Sequence, residues 1–329
     1  MRLVTFLSVL LVGLLTCWSP ALAQPAESGS LLLVVHRTDG TLSVFKAQGG
    51  SLDLAKTLPT GKGPREVCLT PNGKRAYVSN KDDNSLTVVD TDTLAVVATL
   101  TDPKLKTPEG LAVTPDGKTL YVAMSGQDAV LAISTDTHQV VREIPTGGKT
   151  PMRLLLSADG RMLYVANDQS YSVAVIDTGT GAVVATVKVG KQPRGLALTP
   201  DGKTLLVVNV SEDTLSFVDT ATRTVTGPIG LGHAPQRVMF APDGQIAFVT
   251  GRGAAELLLV DMREGRRRTN KKSLPVGNQP NGLAMKADGT YLYVGNDRDN
   301  TISVIDVRLL ETVNVVPTGK YPDGIAFRK

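Results

Sequence analysis

The chain has 329 residues, of which 42% are hydrophobic and only 4% aromatic, with a formal net charge of +4 at pH 7. That balance, rich in Val, Leu, Ala, Thr and Gly, suits many short, closely packed strands, and no heptad pattern or long charge block argues for a coiled coil or a disordered tail. Length alone argues for two domains at roughly 150 residues each, a prior that repeat folds escape.

In chain order, Met1-Arg2 supplies a small basic head and Leu3 to Trp18 an apolar run. Ala21-Leu22-Ala23 then places small residues where a signal peptidase reads them, so cleavage is expected before Gln24. The run is shorter than the ~20 residues of a membrane span. Residues 1–23 are therefore expected to be an export leader and 24–30 a linker, placing the mature chain in the periplasm or at the cell surface without a transmembrane segment. A retained anchor or a lipid on Cys17 is the alternative; Thr16 is a poor residue to precede a lipidated cysteine. Cleavage removes Arg2, Cys17 and Trp18 and leaves Cys68 alone, so no internal disulfide can form. Within Val67-Cys68-Leu69, that thiol reads as a buried, inert one.

From Leu31 onward one unit repeats. Its clearest copy is TPDGKTLYVA (Thr114 to Ala123), and the turn within it begins at Pro71, Pro115, Ala158, Pro200, Pro242 and Ala287, in steps of 42 to 45 residues. Each copy holds four short, β-branched apolar runs bounded by Gly, Pro, Asn and Asp, as in Arg153–Leu156, Met162–Ala166, Ser172–Ile176 and Ala182–Val187. Four antiparallel strands at this period match the blade of a β-propeller. Second strands recur at Leu31–Val35, Ala76–Ser79, Leu120–Ala123, Leu163–Ala166, Leu205–Val208, Ala247–Thr250 and Leu292–Gly295, which predicts seven blades over residues 31–329. Blade one lacks its innermost strand, while the chain ends on a surplus one, Gly324–Phe327. Pairing the two would close the ring and leave no open edge.

LYVAN (Leu163 to Asn167), AYVSN (Ala76 to Asn80) and TLYVAM (Thr119 to Met124), each followed by a SVIDV-like run, resemble the YVTN β-propeller repeat of bacterial YncE-like and surface-layer proteins. The resemblance covers residues 31–329 and implies an exported binding protein. YncE-like members have been linked to DNA, and others resemble accessory proteins of periplasmic quinone-dependent dehydrogenases.

Function is sought where the copies disagree. Asn80, Asn167, Asn209 and Asn296 stand at one place after the second strand, taken by His36, Met124 and Thr250 in the other blades. Four asparagines in a ring suit either a ligand or, on the structural reading, the capping of their own loops. On the same face, each loop into an inner strand carries a proline: Pro64, Pro108, Pro151, Pro193, Pro235, Pro280 and Pro322. The next residues, Asp323, Arg65, Glu109, Met152, Arg194, Gln236 and Asn281, should enter the channel. They are followed by Gly324, Glu66, Gly110, Arg153, Gly195, Arg237 and Gly282, the glycines letting backbones crowd the axis. Arg153, Arg194 and Arg237, backed by Lys149, Lys191 and His233, form a basic half. Asp323, Glu66 and Glu109 form the opposite, acidic half, with Arg65 among them.

A funnel of basic groups attracts anions, and the arginine fork suits carboxylate or phosphate. The expected ligand site is thus Arg65, Arg153, Arg194, Arg237, Lys191 and His233, binding an anionic ligand or a protein partner. Solvated loop charges without a ligand are the competing reading. Glu66, Glu109 and Asp323 offer a metal half-site, which would make the chain a lactonase-like hydrolase instead. The basic stretch Arg263 to Lys272 reads either as a grip for nucleic acid or acidic protein, or as a guard on an exposed edge strand. Haem attachment, a copper centre, a zinc site and a serine triad all lack their residues, and no tryptophan remains to support a quinone cofactor. The expectation is a monomeric binding or scaffolding module without cofactor.

Overall fold

The computed structural model describes residues 29–263 and 268–329. The expected leader lies outside them, as do residues 264–267 and the side chains of 268–272, which hold most of the basic stretch. Seven four-stranded antiparallel sheets follow one another around a ring. In blade two the strands run outward as Pro64–Leu69, Arg75–Asn80, Ser85–Asp90 and Ala95–Thr101. The first strands of successive blades touch and form the wall of a central channel.

The strands form because alternate residues must be buried on both faces of a blade. Leu205, Leu206, Val207 and Val208 are all fully buried, two packing towards blade four and two towards blade six. The core is accordingly divided into seven apolar clusters, one at each interface between neighbouring blades. No blade has a core of its own, so stability belongs to the stack.

The repeated turn works as its residues dictate. Asp116 Oδ1 accepts from Thr114 Oγ1 at 2.5 Å and from the Lys118 amide at 3.0 Å, while Gly117 adopts φ +74°. The same bonds recur at Asp159 and Asp201. At Gly160, whose φ is +71°, a Cβ would sit 2.7 Å from Pro115 of the preceding blade's turn. The turn thus also spaces the blades.

The ring closes as expected. Pro322–Arg328 pairs antiparallel with Leu31–His36, with Leu32 opposite Phe327 and Val34 opposite Ile325. Phe327 stacks on Tyr293 at 5.7 Å between ring centroids, and Arg328 bonds Asp92 in blade two. One expectation is corrected. In blade six the second strand is Ile246–Gly251, and the place of the asparagines belongs to Gly251, which pairs with Glu256 as Asn80 pairs with Ser85. Thr250 instead matches Ser79, each accepting a backbone N–H from the inner strand.

Because Ile325 is 6% exposed and belongs to the cluster between blades seven and one, Ile325→Ala is expected to cost about 3 kcal/mol. Urea denaturation should show this, and deletion of Pro322–Lys329 should abolish the cooperative transition.

Candidate functional site

The asparagine place is structural in three of its four copies; in blade four the Asn167 side chain is fully buried but has no hydrogen-bond partner in the protein, the hydroxyl seven residues on being replaced by Ala174. Asn80, Asn209 and Asn296 are fully buried and donate to hydroxyls five and seven residues on, as in Asn80 Nδ2 to Ser85 Oγ at 3.0 Å and Thr87 Oγ1 at 2.9 Å. Blade one uses His36. Its Nε2 accepts the Gly319 amide at 3.1 Å, which leaves the proton on Nδ1, facing Thr41 Oγ1 at 3.1 Å. Burial lowers its pKa to about 4, against the opposing pull of Asp39.

In every blade the following residue donates its backbone N–H to the carbonyl of the residue before the loop proline. These pairs are Arg37 to Tyr321, Lys81 to Gly63, Ser125 to Thr107, Asp168 to Thr150, Val210 to Gln192, Arg252 to Ala234 and Asp297 to Gln279. All seven acceptor residues have positive φ, between 48° and 61°, although only Gly63 is a glycine. A left-handed non-glycine residue costs roughly 1 kcal/mol. That strain is concentrated around the mouth, held by the second-strand loops.

The chain then bulges. Pro64 pairs with Asn80 but Glu66 pairs with Ser79, so Arg65 is an extra residue and two consecutive side chains turn towards the axis. Each blade repeats this irregularity at its proline. Where the second residue is glycine the wall is crowded: a Cβ on Gly110 would stand 2.7 Å from the Met152 carbonyl, and one on Gly324 2.7 Å from Glu66 Cα. Glycine is required there to seat seven strands around so narrow an axis.

The two charged halves read from the sequence are not separate. Glu66 crosses the channel to bond Arg153 of blade four and Arg237 of blade six, the latter at 2.9 Å. Arg237 lies 3.5 Å from Asp323, Asp323 lies 3.4 Å from Arg65, Arg65 lies 4.0 Å from Glu109, and Glu109 lies 2.7 Å from Lys81. Asn281 joins Asp323 to Asp297, which pairs with Arg252 at 3.2 Å. Arg194 stands apart and donates to Asp168 at 2.8 Å.

Burial opposes the charge of Asp323, but Arg237, Arg153 and Arg65 hold its carboxyl below the ordinary range. Burial and then Arg237 lower Arg153. Arg237, also buried, is raised by Glu66 and Asp323. Burial, with the charge of Asp323, pushes Asp297 up to about 7 against Arg252 and Arg37.

Of the expected ligand residues, Arg65, Arg153, Arg194 and Arg237 line a mouth chamber of about 260 Å³. Lys191 and His233 do not line it: both are exposed on the rim, where His233 pairs with Glu256 at 2.9 Å. Glu66, Glu109 and Asp323 each face cationic partners. Among the described residues no group of three His, Cys, Asp or Glu is placed to hold a metal ion. Cys68 is a free thiol whose pKa burial, and then Glu66, push upward.

Sequence reasoning missed Arg37, Lys81, Arg252, Asp168 and Asp297. All five occupy the place one residue beyond the asparagines, where the side chain turns from the blade to the channel. The chamber is lined by Arg37, Arg65, Lys81, Arg153, Arg194, Arg237 and Arg252 against Glu109 and Asp323. Even with Glu66, Asp168 and Asp297 counted, cations are in excess. The Nε atoms of Arg65, Arg237 and Arg252 are buried without a hydrogen-bond acceptor in the protein, while Asp297 Oδ1 is buried without a donor; with cations in excess around the chamber, the balance favours an anion.

Removing Glu66 would leave Arg153 and Arg237 facing each other, so Glu66→Ala is expected to cost about 3 kcal/mol. Glu66→Ala/Arg153→Met should recover part of it in chemical denaturation. For His36, the unfolded chain takes up a proton below about pH 6.5 and the folded chain only near 4. Stability should fall as pH drops through that window, by on the order of 3 kcal/mol. Denaturation midpoints at pH 7 and 4.5 should differ less in His36→Asn, which places at this position the residue used by other blades.

Comparison with known proteins returns two family models. The lactonase, seven-bladed β-propeller model matches residues 20–114 and 106–188. The YncE-like β-propeller model matches residues 155–293. No curated protein matches the sequence significantly. Among solved structures, hydrazine synthase of Kuenenia stuttgartiensis is similar at 25% identity and TM-score 0.74, over 85% of this chain and 92% of that one. A functionally unknown protein from Desulfotomaculum acetoxidans aligns at 15% identity and TM-score 0.76, over 90% and 98%. The dihydro-heme d1 dehydrogenase NirN aligns at 19% and TM-score 0.68, over 90% and 74%. At those identities the last two share the fold alone.

Proposed function

The chain belongs to the seven-bladed β-propellers of the lactonase and YncE-like type, and on that premise we propose that it is an exported, non-catalytic binding module whose ligand is an anion seated in the channel mouth. The observation that carries this reading is the excess of cations around the mouth chamber, with buried guanidinium N–H groups that lack acceptors. Arg194 is the most accessible of the three inner arginines, its side chain 34% exposed, and serves as the first contact. Arg65 and Arg252 close around the bound group from blades two and six. The anion is either a free small molecule or an acidic side chain of a partner protein, such as a periplasmic dehydrogenase. Export rests on the apolar N-terminal segment and its small-residue cleavage site.

A second reading, hydrolysis of a lactone-type substrate with a metal on Glu66, Glu109 and Asp323, takes support from the lactonase model match. It requires those acids to release Arg153, Arg237, Lys81 and Arg65. A stoichiometric metal ion in the purified protein, removable by chelator, would favour it.

Asp297 supplies the test of the first reading. It faces Asp323, Arg252, Arg37 and Asn281, and with its pKa raised to about 7 it is mostly neutral at pH 6 and mostly charged at pH 8. Neutralising it makes the mouth more positive. Oxalate, whose own charge is constant over this range, should bind about tenfold more tightly at pH 6. Calorimetry should show that gain disappear in Asp297→Asn, and affinity should fall with salt and in Arg194→Ala. Oxalate binding unchanged by Arg194→Ala and by salt would refute the mouth as the site.

A further inference from the structure

The channel does not end at the mouth. Below it lies a second chamber, also of about 260 Å³, whose wall includes Leu111, Leu155, Leu196, Val238, Met239 and Ile325. Arg153, Arg194 and Arg237 line both chambers and so mark the boundary between them. The mouth is lined mainly by charged groups, whereas in the lower chamber the three arginines share the wall with aliphatic residues that also pack between the blades. Of the charged residues lining the lower chamber, three are arginines and one, Glu66, is an acid. Glu66 holds Arg153 and Arg237 from one side only, leaving the buried Arg237 Nε without an acceptor.

An inorganic anion would use the arginines and leave the apolar wall unused. A neutral apolar molecule would fill the wall and leave the guanidinium donors unsatisfied, which is costly in a buried site. We propose, building on the anion-binding reading above, that the ligand is an amphipathic monoanion: a carboxylate head against Arg194 and Arg237, with a short unbranched apolar tail in the lower chamber. At roughly 30 Å³ per water-sized group, the chamber takes about eight such groups, the size of a medium-chain carboxylate tail. Burying the tail supplies affinity and the arginines fix its direction.

The probes are acetate, butyrate, octanoate, 1-octanol and oxalate, titrated calorimetrically into the full-length mature protein. Octanoate should bind one per chain, at least tenfold tighter than acetate and 1-octanol, with butyrate between, and should compete with oxalate. Met239→Gln, close in shape but polar, should remove most of the gain of octanoate over acetate while leaving oxalate binding unchanged. Leu196→Asn provides the same test if Met239→Gln fails to fold, and the chain-length series needs no variant. If oxalate binds but octanoate is no tighter than acetate, the amphipathic ligand is ruled out and the anion site stands. If neither binds, both readings fall. If octanoate binds equally to wild type, Met239→Gln and Leu196→Asn, it sits on the outer surface and the inference is overturned.

Discussion

The antiparallel pairing of Pro322–Arg328 with Leu31–His36 is the interaction on which the rest of the molecule depends. Without it, blade one has no inner strand, the cluster between blades seven and one opens, and the channel has a gap in its wall. Closure also delivers chemistry. Asp323, carried by the closing strand, meets Arg65, which is 258 positions away in the chain. A propeller held this way behaves as one cooperative unit, because each apolar cluster is shared by two blades and none survives alone.

A geometric constraint follows from closure. Seven inner strands converge on an axis too narrow for seven full side chains at one level. Gly110, Gly195, Gly282 and Gly324 relieve the crowding where a Cβ would meet neighbouring backbone. The bulges after the prolines do the reverse, turning pairs such as Arg65 and Glu66 inward. Charged groups are thereby brought together in a narrow channel where most of their surface is buried, and each must find a counter-charge or be left unsatisfied. The resulting network links Lys81, Glu109, Arg65, Asp323, Arg237, Glu66 and Arg153. Its imbalance, and not any one residue, makes the mouth receptive to an anion.

Much of this was legible in the chain. The turn beginning at Pro115 states its own hydrogen bonds, since Asp116 and Gly117 have few other uses at that spacing. The loop prolines marked the mouth, and the residues after them were read onto it correctly. The place one residue beyond the asparagines carries no such mark. Asn80 was visible because it recurs, whereas Lys81, Asp168, Arg252 and Asp297 differ from blade to blade and carry no pattern. In blade six the slip from Gly251 to Thr250 arose because a glycine offers no side chain by which to recognise the place. Lys191 and His233 were drawn inward by charge alone, but both precede their loop proline, on the outer side of the turn that feeds the channel.

Period, strand alternation, turn chemistry and the surplus terminal strand are local properties, governed by residues within a few positions of one another, and these the sequence determined by itself. Which charges neutralise one another was decided by the tertiary structure. The acidic and basic halves look like separate fields when laid out along the chain, yet on a ring this narrow, opposite sides are within a side chain's reach. Glu66 bonds partners 87 and 171 positions away. That distance is set by the radius of the closed ring, a quantity no local pattern contains.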